Sequence, residues 1–384
     1  MSRKLLFSFL ALGMVLGLLA AGCAPEPSAP TTPTTPTSPT TPSTPTTPSQ
    51  PADKVYKWTF LHEHPAGTPL FNYITRTADI LKDRTNGRME LKVAAGGEIV
   101  PAYDCVEALH EGVAEVCWGN GVGNVKLIGP SGYLLTPTGL PGGPHIMELI
   151  AWYYIGGGEE LANSIWGDWG VSVGGVPCAA ELFCHSNVKL ESLDDFKGVK
   201  FRTMGFWADI LNAQGASVVT LSGSEIYEAA QRGVIDAFEY CPPSQNWPMG
   251  FQEITKYVGV PGIHSPSILS YVLVNHDAWD SLPSDLQKEF RDAWKLAVVD
   301  VFLNDWYVDG EAMQKYEDYG SEIVTLSDEA QIEIAKAGLA ICEKYAAEDA
   351  TFKMVFDHQK AFFQTMRKAT QGVTPQYCLF DYAT

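Results

Sequence analysis

Residues 106–118 read VEALHEGVAEVCW, and residues 227–239 read YEAAQRGVIDAFE. Both segments run through a helical pattern, a glycine stop, a valine, an acidic residue and then an apolar strand. A glycine at the end of a helical pattern supplies the left-handed backbone that closes a helix. Strands that alternate with helices build a parallel sheet covered on both faces. The two copies therefore predict two α/β lobes built alike. They also place Trp118-Gly119-Asn120 and Glu239-Tyr240 at equivalent strand ends. Open α/β sheets bind ligands beyond the carboxyl ends of their strands, so a cleft between the lobes is expected there.

Working outward, the pattern predicts a strand over 55–61, a helix over 68–85 closed by Asn86-Gly87, and a strand over 90–94. A helix over 102–111 leads into the strand of the first copy, over 113–118. Ser222 and Glu225 have capping-box spacing at the head of the second copy, whose strand is expected over 234–238. Another capping box, Ser284 to Gln287, follows Pro283. From there Leu286, Phe290, Ala293, Trp294, Ala297, Val298, Val301 and Phe302 recur at three- and four-residue steps, which predicts a long amphipathic helix. Helices over 328–347 and 351–370 end the pattern. The last carries Phe352, Val355, Phe356, Phe362, Phe363 and Met366, and must dock on this chain or on a second copy in a homodimer.

The N-terminus reads as an address. Arg3 and Lys4 precede an apolar run over 5–19, and Ala20-Ala21-Gly22 precede Cys23. That order predicts a lipoprotein signal peptide over 1–22, with Cys23 as the lipidated residue. A transmembrane anchor is the competing reading, since the run is nearly long enough to span a bilayer. Either places the folded part outside the cytoplasm, tied to a membrane. Residues 23–53 are almost purely Pro, Thr and Ser, with proline at every third position from Pro27 to Pro51. Three residues per turn is the polyproline II period. Thirty such residues reach roughly 90 Å, which suits a tether.

The 384 residues carry a net charge of −19, which argues against a nucleic-acid partner. A hydrophobic fraction of 46% argues against disorder. The cysteines beyond Cys23 show no CxxC or Cys/His zinc spacing; Cys178 and Cys184 are close enough in sequence to bridge. There is no G-x-S-x-G, HExxH or Walker loop, so nothing supports a hydrolase; the anchor, the tether and two lobes built alike are what lead to the expectation of a binding protein rather than an enzyme. His62-Glu63-His64 follow the first strand; their spacing would allow zinc but is more simply a polar loop. Trp118, Asn120, Phe206 and Trp207 are candidate cleft walls, or core.

Three stretches bear the strongest signals: FKGVKFRT (196–203), EIYEAAQRGVIDAFE (225–239), and EITKYV (253–258) followed by PGIH (261–264). As a set they resemble the solute-binding proteins of tripartite ATP-independent periplasmic (TRAP) transporters, over about residues 55–370. The resemblance implies an α/β, two-lobed periplasmic-binding-protein-like fold with a long lobe-spanning C-terminal helix. Lobe I would take 54–178 with about 261–305, lobe II 179–260 with about 306–350, and a C-terminal helical extension 351–384. It implies a receptor that captures a small carboxylate and hands it to a TRAP membrane permease. The binding component of an ATP-driven importer and a sensor are the alternatives.

The nearest subgroup binds 2-oxo acids and lactate together with a cation. By this resemblance Arg202 is the carboxylate-binding arginine; read alone, it would be a strand-edge arginine paired with a surface acid. Glu239 and the backbone carbonyl of Tyr240, often Trp in the family, would hold a metal cation, Ca²⁺ or Na⁺. Glu181, in CAAELFCHSN (178–187), stands where relatives carry a Gln that reaches both solute and ion. Ser265, beside His264, replaces a Gln of the oxo-acid binders at a solute-contacting position, and Asn246 would order its loop. With Glu181 and Glu239 both facing an anionic solute, the site needs more positive charge than Na⁺ supplies. Ca²⁺ meets that need, as does a solute that itself carries an ammonium.

Overall fold

The structure is a computed structural model that describes residues 54–373. The predicted signal peptide, Cys23, the tether, Cys378 and the rest of 374–384 lie outside the described residues. In chain order the strands are β1 (Tyr56–Leu61), β2 (Met89–Ala94), β3 (Val116–Gly119), β4 (Val171–Cys178), β5 (Cys184–Ser186), β6 (Lys200–Arg202), β7 (Ser217–Val219), β8 (Ala237–Phe238), β9 (Tyr257–Val260), β10 (Ile268–Val274) and β11 (Glu322–Thr325). They form two sheets, ordered β2-β1-β3-β10-β4 and β11-β9-β5-β8-β6-β7.

The repeated segment builds the same unit twice. Gly112 and Gly233 take φ of 77° and 69°, a backbone that side-chain-bearing residues avoid. The next N–H, from Val113 or Val234, reaches back to the carbonyl of Ala108 or Ala229, each at 2.9 Å. This six-to-one bond is the Schellman closure of a helix. The acidic residue then caps a neighbouring strand. Glu115 accepts from the Thr59 N–H at 2.8 Å, and Asp236 from the Lys200 N–H at 3.0 Å. The strands that follow pair in parallel, Phe60 with Val116 and Phe201 with Ala237. Both begin later than the expected 113 and 234, because each valine closes the preceding helix instead of pairing; Val113 and Val234 are 51% and 55% exposed.

Neither sheet is purely parallel, as strand–helix alternation alone would predict. β10 runs antiparallel to β3 and β4, and β5 antiparallel to β8 and β9. Each antiparallel strand follows a crossing between sheets, over 179–183 and 261–267, and so enters its new sheet reversed. Cys178 and Cys184 lie on opposite sides of the first crossing. They do not bridge: Cys105, Cys117, Cys178, Cys184, Cys241 and Cys342 are all free and buried.

The long helix extends beyond Phe302. Ser284–Ala297 continues through a π-helical turn, Val298–Phe302, into Leu303–Tyr319. Its first half buries Leu286, Phe290, Ala293 and Trp294 in the core of the first sheet, where a fully buried Phe or Leu contributes about 1.5–3 kcal/mol. Its far end packs Tyr316 on Leu182 and Val258 beside the second sheet. The helix thus spans both lobes. Helix Asp328–Glu348 also touches both: Ala330 and Ile334 join the second lobe's core, and Cys342 the first's. Helix Ala350–Gly372 places Phe352, Val355 and Phe363 against Leu134, Leu149 and Trp152 of the same chain. Arg367 forks onto the Glu148 carboxylate at 2.7 and 2.9 Å. Among the described residues no helix is long and apolar enough to cross a membrane.

Candidate functional site

A cavity of about 510 Å³ opens between the two sheets, lined by Glu63, His64, Tyr103, Trp118, Asn120, Glu181, Arg202, Glu239 and Tyr240 among others. Its walls come from the strand ends that the repeat predicts. Trp118 and Glu239, at matching positions of the two copies, both face it.

Arg202 ends β6 and is 2% exposed. Its Nη1 donates to the carbonyl oxygen of Glu239 at 2.8 Å and to Glu239 Oε1 at 3.0 Å. Nε and Nη2 donate to the Leu221 carbonyl at 3.0 and 2.9 Å. A guanidinium has five N–H donors, so one Nη2 hydrogen is left over. The Tyr240 ring lies 5.6 Å from the guanidinium carbon, within cation–π range.

Glu181 reaches the cavity from the crossing segment. Its N–H bonds the Ser265 carbonyl at 3.1 Å, and its Oε2 lies 3.1 Å from His264 Nε2. The two crossings touch here: a Cβ at Gly262 would meet the Glu181 carbonyl oxygen at 1.9 Å, so only glycine fits. Burial pushes the Glu181 carboxyl up to about 8 and that of Glu239 up to about 7. Burial lowers His264 to about 4, so it is neutral.

Ligand atoms of Glu181, Glu239 and His264 all lie within 4.8 Å of one another. Among the described residues, Glu181 Oε1 and Glu239 Oε2 are buried with no donor at standard hydrogen-bond geometry, the two carboxyls facing one another and the Ser265 hydroxyl. Such an atom costs about 1–3 kcal/mol, more when charged. Two converging, unpartnered carboxylate oxygens fit a hard cation, which prefers oxygen.

The first lobe supplies an unexpected wall. Glu63 Oε1 accepts from Asn120 Nδ2 at 2.9 Å, and burial raises its carboxyl to about 7. His64 Nδ1 lies 3.3 Å from the Tyr240 hydroxyl across the cavity. His62 is not a zinc ligand: its Nδ1 accepts from the His64 N–H at 2.8 Å, leaving Nε2–H for the Leu70 carbonyl at 3.2 Å.

Arg202, Glu181, Glu239, Tyr240, Trp118 and Asn120 thus meet in one cavity. Phe206 does not join them. It packs on Tyr133, Tyr345 and Phe352, at ring distances of 4.5, 5.0 and 6.0 Å, because its helix turns it toward the C-terminal helices. Trp207 packs on Phe183, Phe196 and His264 instead. Ser265 stands behind Glu181, its hydroxyl buried and outside the cavity lining. Asn246 braces the turn after β8 by donating to the Cys241 carbonyl at 2.6 Å. Sequence reasoning missed Tyr103, on a short turn before helix Cys105–His110, and gave Glu63 too little weight. No local signal marks either.

Two sheets that face one another across a cavity lined by their strand ends define a two-lobed binding protein. The family model for DctP, bacterial extracellular solute-binding protein, family 7, matches residues 60–349, and the chain belongs to that family. It is 30% identical over 311 residues to the monocarboxylate 2-oxoacid-binding periplasmic protein of a Nostoc species, covering 80% of this chain and 84% of that one. It is similar to a TRAP periplasmic solute-binding protein of Colwellia psychrerythraea with bound calcium and pyruvate. The TM-score is 0.77 at 25% identity, covering 83% of this chain and 98% of that one. A TRAP protein of Pseudoalteromonas atlantica, with bound sodium and pyruvate, matches at a TM-score of 0.77 and 25% identity, covering 83% and 97%.

Proposed function

We propose that this chain is an extracytoplasmic receptor that captures a small carboxylate together with a metal cation and delivers it to a TRAP permease. The observation that carries this reading is the buried Arg202–Glu239 pair beside the unpartnered oxygens of Glu181 and Glu239. The relatives that bind pyruvate with calcium or with sodium support it.

Glu181 and Glu239 would hold the cation, with the Tyr240 carbonyl as a further oxygen. A bound cation supplies the positive charge that keeps both carboxylates ionised despite their burial. Two protein carboxylates and the solute's own carboxylate beside one arginine favour Ca²⁺ over Na⁺. Arg202 then receives the solute carboxylate through its remaining Nη2 hydrogen, and the Tyr240 ring holds the guanidinium in place. His264 orients Glu181, and Trp118, Tyr103 and His64 close the opposite wall. Closing the lobes excludes water and strengthens each of these charge contacts.

Upstream, a signal peptide over 1–22, a lipidated Cys23 and a tether over 24–53 would hold the receptor at the outer face of a membrane. A homodimer would have to use a face other than the apolar side of helix Ala350–Gly372, which this chain already covers. Calorimetric titration with pyruvate in excess Ca²⁺ tests the reading. Wild type binds and Arg202→Lys loses about tenfold or more, because a lysine cannot hold the Leu221 and Glu239 oxygens and still present a hydrogen to the solute. Equal affinity in both proteins contradicts it.

A further inference from the structure

We infer that the solute carries an ammonium group as well as a carboxylate, and that Glu63, oriented by Asn120, receives it. This rests on the reading of Arg202 as the carboxylate anchor, and it narrows the solute to a zwitterionic amino acid.

Glu63 sits on the cavity wall at the carboxyl end of β1, its side chain 11% exposed. Its carboxylate accepts from the Asn120 amide at 2.9 Å and also faces the Trp118 indole N–H, both of them neutral donors. The nearest basic group is His64, whose Nε2 stands 3.7 Å from Glu63 Oε1, too far for a hydrogen bond, while its Nδ1 faces the Tyr240 hydroxyl. Apart from His64, no basic side chain among the described residues is paired with Glu63. A largely buried carboxylate on a cavity wall is stabilised in its charged form when a positive charge meets it there. Arg202 cannot serve, since Glu239 and the Leu221 carbonyl already occupy four of its five N–H groups.

The surroundings also suit a cation. Tyr103, Trp118 and Tyr240 line the same cavity, and aromatic faces attract an ammonium. Tyr240 relates the two anchors. Its hydroxyl lies 3.3 Å from His64 Nδ1, beside Glu63, while its ring lies 5.6 Å from the Arg202 guanidinium carbon. A basic and an acidic anchor therefore face one cavity across a single tyrosine, the complement of a zwitterion. A 2-oxo acid would leave the Glu63 anchor unused.

The test compares matched pairs by calorimetry in excess Ca²⁺: alanine with pyruvate, valine with 3-methyl-2-oxobutanoate, and 4-aminobutanoate with butanoate. Expected is that at least one amino member binds wild type about tenfold or more tighter than its counterpart, the scale of one charge-assisted hydrogen bond. In Glu63→Gln that preference collapses, while the affinity of the counterpart stays within about threefold. Glu63→Asp, which keeps the charge, retains part of the preference, and thermal melts of both variants confirm folding. A wild type that prefers the oxo or unsubstituted acids, or a preference unchanged in Glu63→Gln, overturns the inference. If pyruvate binds in an Arg202-dependent way and no amino member does better, only the Glu63 assignment falls. If no member of either kind binds, the carboxylate reading falls with it.

Discussion

Arg202 and Glu239 grip one another at two points, Nη1 donating to the carbonyl oxygen and to Oε1 of Glu239 at 2.8 and 3.0 Å. Both residues are almost entirely buried, at 2% and 1% exposure. The arginine proposed to receive the solute is thus also the structural partner of the carboxylate proposed to hold a metal. Removing it does two things at once.

Arg202→Ala leaves Glu239 buried without its partner. Breaking such a pair costs about 3–5 kcal/mol where the remaining group stays charged. Burial already raises the Glu239 carboxyl to about 7, so at pH 5 it can take up a proton. The expected loss in urea-denaturation midpoint is therefore large at pH 8 and clearly smaller at pH 5. Equal losses at both pH values would show that Glu239 does not carry the cost.

The cation-stripped protein should be more stable in mild acid than in mild base. Glu181 and Glu239 are raised from 4.5 to about 8 and about 7 by burial. A carboxyl raised on folding stabilises fully below its unfolded value and loses that contribution as pH climbs through the folded value. Thermal melts should fall between about pH 5 and pH 8, and added Ca²⁺ should recover most of the loss at pH 8. A melting temperature that rises across that window would contradict the assignment.

Gly262→Ala would drive a Cβ into the Glu181 carbonyl. The backbone there must shift, at about 1–3 kcal/mol of overpacking, and Glu181 moves with it. Expected is a fold that survives and a Ca²⁺ affinity that drops by about tenfold or more. Unchanged Ca²⁺ binding by calorimetry would remove Glu181 from the cation site.

Phe352 is buried against Phe206, Tyr345 and Phe356. Phe352→Ala should cost about 3–5 kcal/mol in chemical denaturation, with no change of mass in light scattering. A variant that changes oligomeric state without losing monomer stability would mean that this helix serves a second copy instead.

The lobes were legible because the repeated glycine stop and the acidic residue after it act locally. Gly112 and Gly233 close their helices in the same way, and Glu115 and Asp236 cap equivalent neighbours. Strand direction was not legible. β5 and β10 run antiparallel because of where the chain crosses between sheets, a property of connections with no residue signature. Arg202 and Glu239 were placed through the family motifs, since a strand-end arginine or glutamate looks the same in solvent; Glu181 lies outside those motifs, in a segment that departs from the family pattern. Glu63 and Tyr103 were underrated for a related reason: only tertiary burial separates a polar loop from a cavity wall. Phe206 and Trp207 show the reverse, aromatics beside a site that pack into cores.

The central claim is that carboxylate and cation are captured together, by Arg202 on one side and Glu181 with Glu239 on the other. Reciprocal coupling tests it most directly: calorimetric titration of the chelator-stripped protein with pyruvate and alanine, with and without saturating Ca²⁺. Two ligands that share a site must change each other's affinity by the same factor. The account predicts that at least one of the two acids binds about tenfold or more tighter with Ca²⁺, and that it raises Ca²⁺ affinity equally. Acid affinities that ignore Ca²⁺ entirely would contradict it.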